Sequence, residues 1–170
     1  RGRVVLARGF GGAESAESIF MMASITKPVT AMALMLLVEE GRLSLGDQVC
    51  MHLPEFCEGE RSTVTVGQLL SHTSGLPDML PQNMALREAR APLSAFIAET
   101  FATPLLFSPG SDFGYSSMGI LLAAVILERI SGQSARDFMR ERIFLPLGMV
   151  HTELGLGPAV RSPNFLLDAQ

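Results

Sequence analysis

The chain has 170 residues, of which 48% are apolar and 18% charged, and its formal net charge is −4. The length suits one domain with its own core. The weakly acidic balance, with no run of lysine or arginine, argues against binding to nucleic acids or anionic membranes. The longest uncharged apolar stretch, residues 28–38, is shorter than the roughly 20 residues that a transmembrane helix needs.

The first predicted elements are one strand and one helix. The strand covers residues 2–9, where Val4-Val5-Leu6 precede a glycine turn. The helix covers residues 23–40, with Ser24 as N-cap and Gly41 just past its end. Because its interior is apolar on every side, we expect a helix that is buried on most faces, with Met32 and Met35 in the core.

Further helices are predicted over residues 66–71, 92–102, 118–130 and from Ser134 to about Leu145. Ser116 or Ser117 is expected to cap the third of these, which Gly132 ends, and Ser134 with Asp137 resembles a capping box. No repeat or linker divides the chain, so residues 1–170 are predicted to form one α+β domain.

The two cysteines, Cys50 and Cys57, lack the C-x-x-C spacing of redox and zinc motifs. With His52 they form no recognised ligand pattern, so we predict neither a disulfide framework, nor a metal site, nor a cofactor. Residues 1–10 contain no apolar stretch typical of a secretory signal. The chain does not begin with Met, which suggests a processed or partial chain and leaves the compartment open.

Ser24 and Lys27 are the first candidates for chemistry. They lie one helical turn apart, so a hydroxyl and an amine point the same way. A serine becomes a useful nucleophile when a base is within reach and a field stabilises the developing negative charge. A buried neutral lysine is one such base, and a charged lysine can instead lower the pKa of a tyrosine that accepts the proton. The alternative is an N-cap serine beside a solvated lysine.

Residue usage favours the chemical interpretation. Lys27 is the only lysine among 13 basic residues, and it precedes a helix with almost no polar face. Tyr115 is the only tyrosine, and it lies at a second junction between a loop and an apolar helix. We therefore treat Ser24, Lys27 and Tyr115 as one candidate site.

Several segments carry a resemblance to a known family. They are residues 3–11, 20–28 (FMMASITKP), 43–49 with Leu53-Pro54, 64–77 (VTVGQLLSHTSGLP), 107–119 (FSPGSDFGYSSMG) and 145–152 (LPLGMVHT). Together they resemble the serine β-lactamase and penicillin-binding protein superfamily, on its branch of class C β-lactamases, D-alanyl-D-alanine carboxypeptidases and related esterases. The match covers most of the chain.

The resemblance implies a serine acyl hydrolase that acts on a small ester, amide or lactam through an acyl-enzyme. Ser24 would be the nucleophile and its backbone N–H an oxyanion donor, Lys27 would activate it, and Tyr115 would carry the proton. His72 would lie in a structural loop beside the site rather than act in catalysis, and His52 and His151 would also be structural.

Two departures from the family pattern affect this expectation. Ser117 stands where the family usually has a substrate-binding asparagine, and it is expected to keep a hydrogen bond to Lys27 while losing reach to a substrate carbonyl. Peptide-like and β-lactam substrates would then suffer most, and small esters least. The family's Lys/His-x-Gly strand is missing from these 170 residues.

The resulting expectation is the mostly helical part of a β-lactamase/transpeptidase-like α+β fold, with an N-terminal strand and most of the antiparallel sheet missing. Helices without that sheet are expected to expose apolar surface and to favour self-association. Two other interpretations stay open. One is a catalytically silent member or fragment that binds a peptide, a cell-wall ligand or a protein partner, and the other is a helical scaffold in which Ser24 only caps a helix.

Overall fold

The computed structural model describes residues 2–13, 15–16 and 18–155, together with the backbone of residues 165–166. Seven α-helices lie within these ranges. They are α1 (Thr26–Glu39), α2 (Val49–His52), α3 (Val66–Leu70), α4 (Asn83–Glu88), α5 (Leu93–Ala102), α6 (Ser117–Ser131) and α7 (Ala135–Met139). Short 3-10 turns cover Ala23–Ile25, Pro54–Phe56 and Gly59–Thr63, and a π-helical turn over Arg140–Phe144 extends α7.

Helix α6 lies at the centre of the molecule, where it contacts α1, α2, α3, α5 and α7. Its N-cap is Ser116, whose side chain accepts a hydrogen bond from Gly119 N, and it ends at Gly132 with φ 74°. Both ends were predicted from the sequence and are confirmed. The fully buried side chains of the core come from these helices and the loops between them, and the largest are Phe56, Phe138, Leu34, Leu37, Leu53, Leu69, Leu76, Leu122, Ile126, Leu127 and Met139.

Helix α1 is less buried than predicted. Thr30, Ala33, Leu34 and Leu37 face the core, but the side chains of Met32 and Met35 are 48% and 43% exposed. The prediction that these two methionines are core residues is therefore wrong, because α1 packs against its neighbours on one face only. The exposed apolar surface expected from the sequence is present on this helix and at Phe20 and Met21.

The prediction of a strand over residues 2–9, all of which the structure describes, is wrong. Val4, Val5 and Leu6 are exposed and form no strand, because no described segment supplies the backbone partner that a strand needs. The strands that are formed are β1 (Ile19–Phe20) and β2 (Phe165–Leu166), paired in parallel with Ile19 opposite Phe165. Neither of these two-residue strands was predicted from the sequence.

The other helix predictions agree with α3, α5 and α7, and Ser134 caps α7 by accepting from Asp137 N. Helices α2 and α4 were missed, since each is too short to show a period. Cys50 and Cys57 are joined in a disulfide, with a Cα–Cα distance of 5.2 Å. The sequence did not predict this bond, because a spacing alone does not show that two cysteines meet.

The loop after α3 runs beside the segment that leads into α6. The carbonyls of His72, Thr73 and Gly75 accept hydrogen bonds from Gly114 N (2.9 Å), Gly110 N (2.8 Å) and Leu106 N (2.7 Å), respectively. Gly75 has φ 83°, and a Cβ there would collide with the Phe107 carbonyl. The contact thus requires glycine, and it fixes the course of the chain toward residue 115.

Within the described residues no single helix is long and apolar enough to cross a membrane. One pair of helical segments, Ser117–Ser131 with Ala135–Phe144, reaches the length and composition of a span, but the two segments meet at an 82° bend.

Candidate active site

Ser24 lies in the 3-10 turn Ala23–Ile25 that leads into α1, and it is exposed. It does not cap the helix as predicted: the N-cap of α1 is Ile25, which makes no side-chain cap bond. Ala23, directly before it, has φ 45°, a left-handed conformation that non-glycine residues seldom adopt and that costs about 1–3 kcal/mol. Strained backbone of this kind clusters at functional sites.

The Ser24 hydroxyl is instead held by two other side chains. Its Oγ accepts hydrogen bonds from Lys27 Nζ at 3.2 Å and from the Tyr115 hydroxyl at 2.8 Å. Ser24 and Tyr115 are 91 positions apart in sequence, so the fold brings together the three residues singled out from the sequence. An N-cap serine beside a solvated lysine is not what the structure contains.

Lys27 also lies against the face of the Tyr115 ring, with Nζ 4.8 Å from the ring centroid. Interaction of the phenol with the Lys27 side chain, and next with the Ser24 hydroxyl, lowers the pKa of Tyr115 below its ordinary value of 10.0, and the charge of Lys27 acts in the same direction. Burial and the negative charge of Asp78 oppose the shift, and Tyr115 is 43% exposed. The arrangement therefore makes the Tyr115 hydroxyl easier to deprotonate while it is in contact with the serine hydroxyl.

Residues on both sides of Tyr115 are anchored. Ser116, which is fully buried, donates its hydroxyl proton to the Pro77 carbonyl at 3.0 Å while capping α6. Its backbone N–H donates to His72 Nδ1 at 3.2 Å, and the His72 and Tyr115 rings pack with centroids 4.8 Å apart. Burial, and next the charge of Lys27, lower the pKa of His72 below 6.5, so the imidazole is neutral near pH 7.

Ser117, the position expected to contact Lys27, makes a different contact. Its hydroxyl donates to Asp78 Oδ1 at 2.6 Å, and its backbone N–H donates to the same oxygen at 3.0 Å. The expected hydrogen bond between Ser117 and Lys27 is not formed, because the short Ser117 hydroxyl lies against the Asp78 carboxylate and Lys27 Nζ donates to Ser24 Oγ instead. Asp78 was missed in the sequence, where it is one unremarkable acidic residue after residues 71–77.

A cavity of about 510 Å³ borders Ala23 and Thr26, on either side of the serine. Residues 18–23 line one side of it and residues 151–155 the other, with mostly apolar side chains. Across the described ranges, no three His, Cys, Asp or Glu side chains are placed to hold a metal ion.

Comparison with known proteins identifies relatives of this chain. The family model "Beta-lactamase" matches residues 1–164. "Penicillin-binding protein 4*" of Bacillus subtilis is 37% identical over 164 residues, which cover 90% of this chain and 36% of that protein.

Solved structures agree with this match. An octameric penicillin-binding protein homologue from Pyrococcus abyssi superposes with a TM-score of 0.79 at 30% identity, covering 96% of this chain and 41% of that one. A D-stereospecific amidohydrolase from Streptomyces sp. gives a TM-score of 0.66 at 32% identity, covering 74% of this chain and 41% of that one. The chain thus spans about two fifths or less of the length of these relatives, and it belongs to the Beta-lactamase family, within the serine β-lactamase and penicillin-binding protein superfamily.

Proposed function

We propose that this chain carries the acyl-transfer site of a serine hydrolase, with Ser24 as nucleophile, Lys27 as activator and Tyr115 as proton carrier. One observation supports it above all: Ser24 Oγ is hydrogen-bonded to both Lys27 Nζ and the Tyr115 hydroxyl. A nucleophile that touches its base, with the base oriented by a third group, is the general pattern of covalent catalysis. Family membership adds the expectation of a small-molecule substrate.

The first step forms the acyl-enzyme. Lys27 stabilises the phenolate of Tyr115, which takes the proton of Ser24 as the serine oxygen attacks the substrate carbonyl carbon. The carbonyl oxygen becomes an oxyanion, to which the Ser24 backbone N–H donates, a kind of contact worth about 3 kcal/mol in the barrier. Tyr115 then gives its proton to the leaving alcohol or amine as the carbonyl–heteroatom bond breaks.

The second step regenerates the serine. A water molecule loses a proton to the Tyr115 phenolate and attacks the acyl carbon, and the ester bond to Ser24 breaks. Tyr115 returns the proton to Ser24 Oγ, and the product leaves as an acid. The site therefore needs no group besides these side chains and water to balance the reaction.

Small neutral esters are the proposed substrate class. An amide side chain at position 117 would offer both a donor and an acceptor to a peptide-like substrate, whereas the Ser117 hydroxyl is already bonded to Asp78. The Asp78 carboxylate also places negative charge beside the site, which disfavours substrates that carry a carboxylate. Turnover of a neutral chromogenic ester and of a chromogenic cephalosporin, with Ser117→Asn alongside, tests this. A wild-type preference for the cephalosporin would contradict the assignment.

Covalent labelling tests the nucleophile directly. We expect a fluorophosphonate to add one adduct to the chain, on a peptide that contains Ser24, as measured by mass spectrometry. Ser24→Ala should abolish the adduct, and Ser62→Ala should retain it, because the Ser62 hydroxyl bonds only its own turn at Gly59. Equal labelling of wild type and Ser24→Ala would exclude the proposal.

The catalytically silent alternative is favoured by one observation, the contact of Ser117 with Asp78 instead of Lys27. A silent member would bind a peptide, a cell-wall ligand or a protein partner without forming an adduct. The absence of any adduct on Ser24, together with retained binding of a peptide ending in D-alanine, would favour this alternative.

Self-association is a further part of the proposal, supported by the exposed side chains of Met32, Met35, Phe20 and Met21. Sedimentation measured over a range of concentrations tests it. A concentration-independent monomer with no binding of an apolar dye would contradict it.

A further inference from the structure

We propose that His72 is a positioning residue that holds the Tyr115 hydroxyl against Ser24, by contacting the chain on both sides of the tyrosine and the tyrosine ring itself. The proposal rests on the proposed function, because the position of Tyr115 matters to the reaction only if Tyr115 carries the proton.

Two hydrogen bonds place His72 around Tyr115. The His72 carbonyl accepts from Gly114 N at 2.9 Å, and its ring Nδ1 accepts from Ser116 N at 3.2 Å. One residue thus binds the backbone immediately before and immediately after the tyrosine. Neither neighbour of Tyr115 can shift without breaking a bond to His72.

The imidazole makes a third contact, with the phenol ring. The two ring centroids are 4.8 Å apart at an interplanar angle of 39°, and the Phe113 ring meets the imidazole edge-on with centroids 6.0 Å apart. Lys27 Nζ lies 4.8 Å from the Tyr115 centroid. The phenol therefore lies between contacts that set the direction of its hydroxyl toward Ser24 Oγ.

The backbone of His72 is strained to allow this. Its φ is 61°, in the left-handed region that histidine and asparagine adopt more readily than most residues. In this conformation its carbonyl and its ring both reach the segment 114–116. A residue needed only to fill space would not require the strained conformation.

The hydrogen bond from Ser116 N also sets the protonation of the ring. Nδ1 accepts, so the ring proton of the neutral imidazole is on Nε2. The charged groups that act on His72 are Lys27 from α1 and Asp78 from the following loop, and Tyr115 is the titratable group in contact with it. Protonation would remove the acceptor from Ser116 N and place a second cation close to Lys27.

Two substitutions of His72 separate the effect of its hydrogen-bond acceptor from the effect of its ring. In His72→Asn the amide oxygen takes the place of Nδ1 and the residue tolerates φ 61°, whereas His72→Phe keeps a ring without the acceptor. Tyr115 is the only tyrosine and the chain has no tryptophan, so the ultraviolet absorbance of the phenolate reports the pKa of Tyr115 alone. His52→Asn is the matched control, because His52 bonds Asp47 and not the tyrosine segment.

We expect His72→Phe to raise the pKa of Tyr115 toward 10.0 and to slow fluorophosphonate labelling of Ser24 by about tenfold or more. His72→Asn should keep labelling within about threefold of wild type, and His52→Asn should change neither quantity. An unchanged pKa and rate in His72→Phe, or losses in His72→Asn as large as in His72→Phe, would overturn the proposal. If wild type is not labelled at all, the proposed function fails, while the pKa of Tyr115 still reports the role of His72.

A pH series covers the case in which His72→Phe does not fold. The pKa of His72 lies below 6.5, and protonation of the imidazole removes the acceptor for Ser116 N. As the pH is lowered below 6.5, labelling of wild type should therefore fall more steeply than labelling of His72→Asn, whose amide does not titrate. Parallel profiles of the two proteins would overturn the proposal.

Discussion

The two junctions that meet at Ser24 are built differently. Before α6, Ser116 is fully buried and makes three hydrogen bonds, and Ser117 is held by Asp78. Before α1, Ser24 is exposed, and no side chain caps the helix. The tyrosine is thus fixed by the loop that surrounds it, whereas the serine hydroxyl is held by the two groups proposed to activate it.

Because of this difference, substitutions at the two junctions are expected to affect different properties, stability at one and reactivity at the other. Substitutions at the α6 junction are expected to lower the free energy of unfolding, because they remove caps and buried hydrogen bonds. Substitutions at the α1 junction are expected to change reactivity with little effect on stability, because Ser24 contributes no cap and no buried area. Each prediction below tests one side of that comparison.

The largest effect is expected from Tyr115→Phe. It removes the 2.8 Å hydrogen bond to Ser24 and the proton carrier, so labelling of Ser24 should slow by about 100- to 10,000-fold. The melting temperature should barely change, because the hydroxyl is exposed. Ser62→Ala, which removes a hydroxyl bonded to the Gly59 carbonyl away from the site, is the control, and equal labelling rates of Tyr115→Phe and wild type would contradict the proton-carrier role.

Lys27→Met should have the second-largest effect on labelling. Without the ammonium beside the phenol ring, the pKa of Tyr115 should return toward its ordinary value of 10.0, and labelling near neutral pH should slow by about tenfold or more. Lys27→Arg keeps the charge, so the pKa of Tyr115 should stay lowered. Absorbance titration of the single tyrosine measures both, and a phenol pKa in Lys27→Met that equals wild type would contradict this account.

Ser116→Ala tests the opposite junction. The hydroxyl accepts from Gly119 N and donates to the Pro77 carbonyl, so its loss should reduce the free energy of unfolding by about 2 kcal/mol. Ser24→Ala should change it by less than about 0.5 kcal/mol, as most exposed substitutions do. Denaturant unfolding of the two variants gives the comparison, which would be wrong if Ser24→Ala were the more destabilising.

Ala23→Gly should have the smallest effect. Glycine adopts φ 45° without strain, which stabilises the folded state, but it also makes the unfolded chain more flexible. The free energy of unfolding should therefore rise by no more than about 1 kcal/mol. The same change loosens the turn that presents Ser24, and we expect slower labelling by a few-fold. A gain in labelling rate would show that the strain at this position does not serve the site.

The sequence predicted the helical framework well where a long apolar pattern is bounded by caps, as in α6, and it brought forward Ser24, Lys27 and Tyr115 as one group. It failed at residues 2–9, because strand formation depends on a partner that a local pattern does not contain. It also failed at Met32 and Met35, because an apolar helix does not reveal which of its faces is covered.

The contacts of Ser117 and His72 could not be predicted from the sequence, for a related reason. Asp78 lies 39 positions before Ser117, and His72 lies 44 positions before Ser116. Both pairings are produced by the loop after α3 running beside the chain that enters α6. Short polar side chains carry no periodic signal, so only the folded arrangement shows which of them meet.

Because lysine is scarce in this chain, the site can be modified selectively. Lys27 is the only lysine side chain in 170 residues, and its amine lies against Ser24 and the Tyr115 ring. A reagent that forms amides with primary amines therefore has a single side-chain target, and that target is in the site itself. A crosslinker, an affinity tag or an isotope-labelled methyl group attached in this way would be positioned at the nucleophile without any engineered residue.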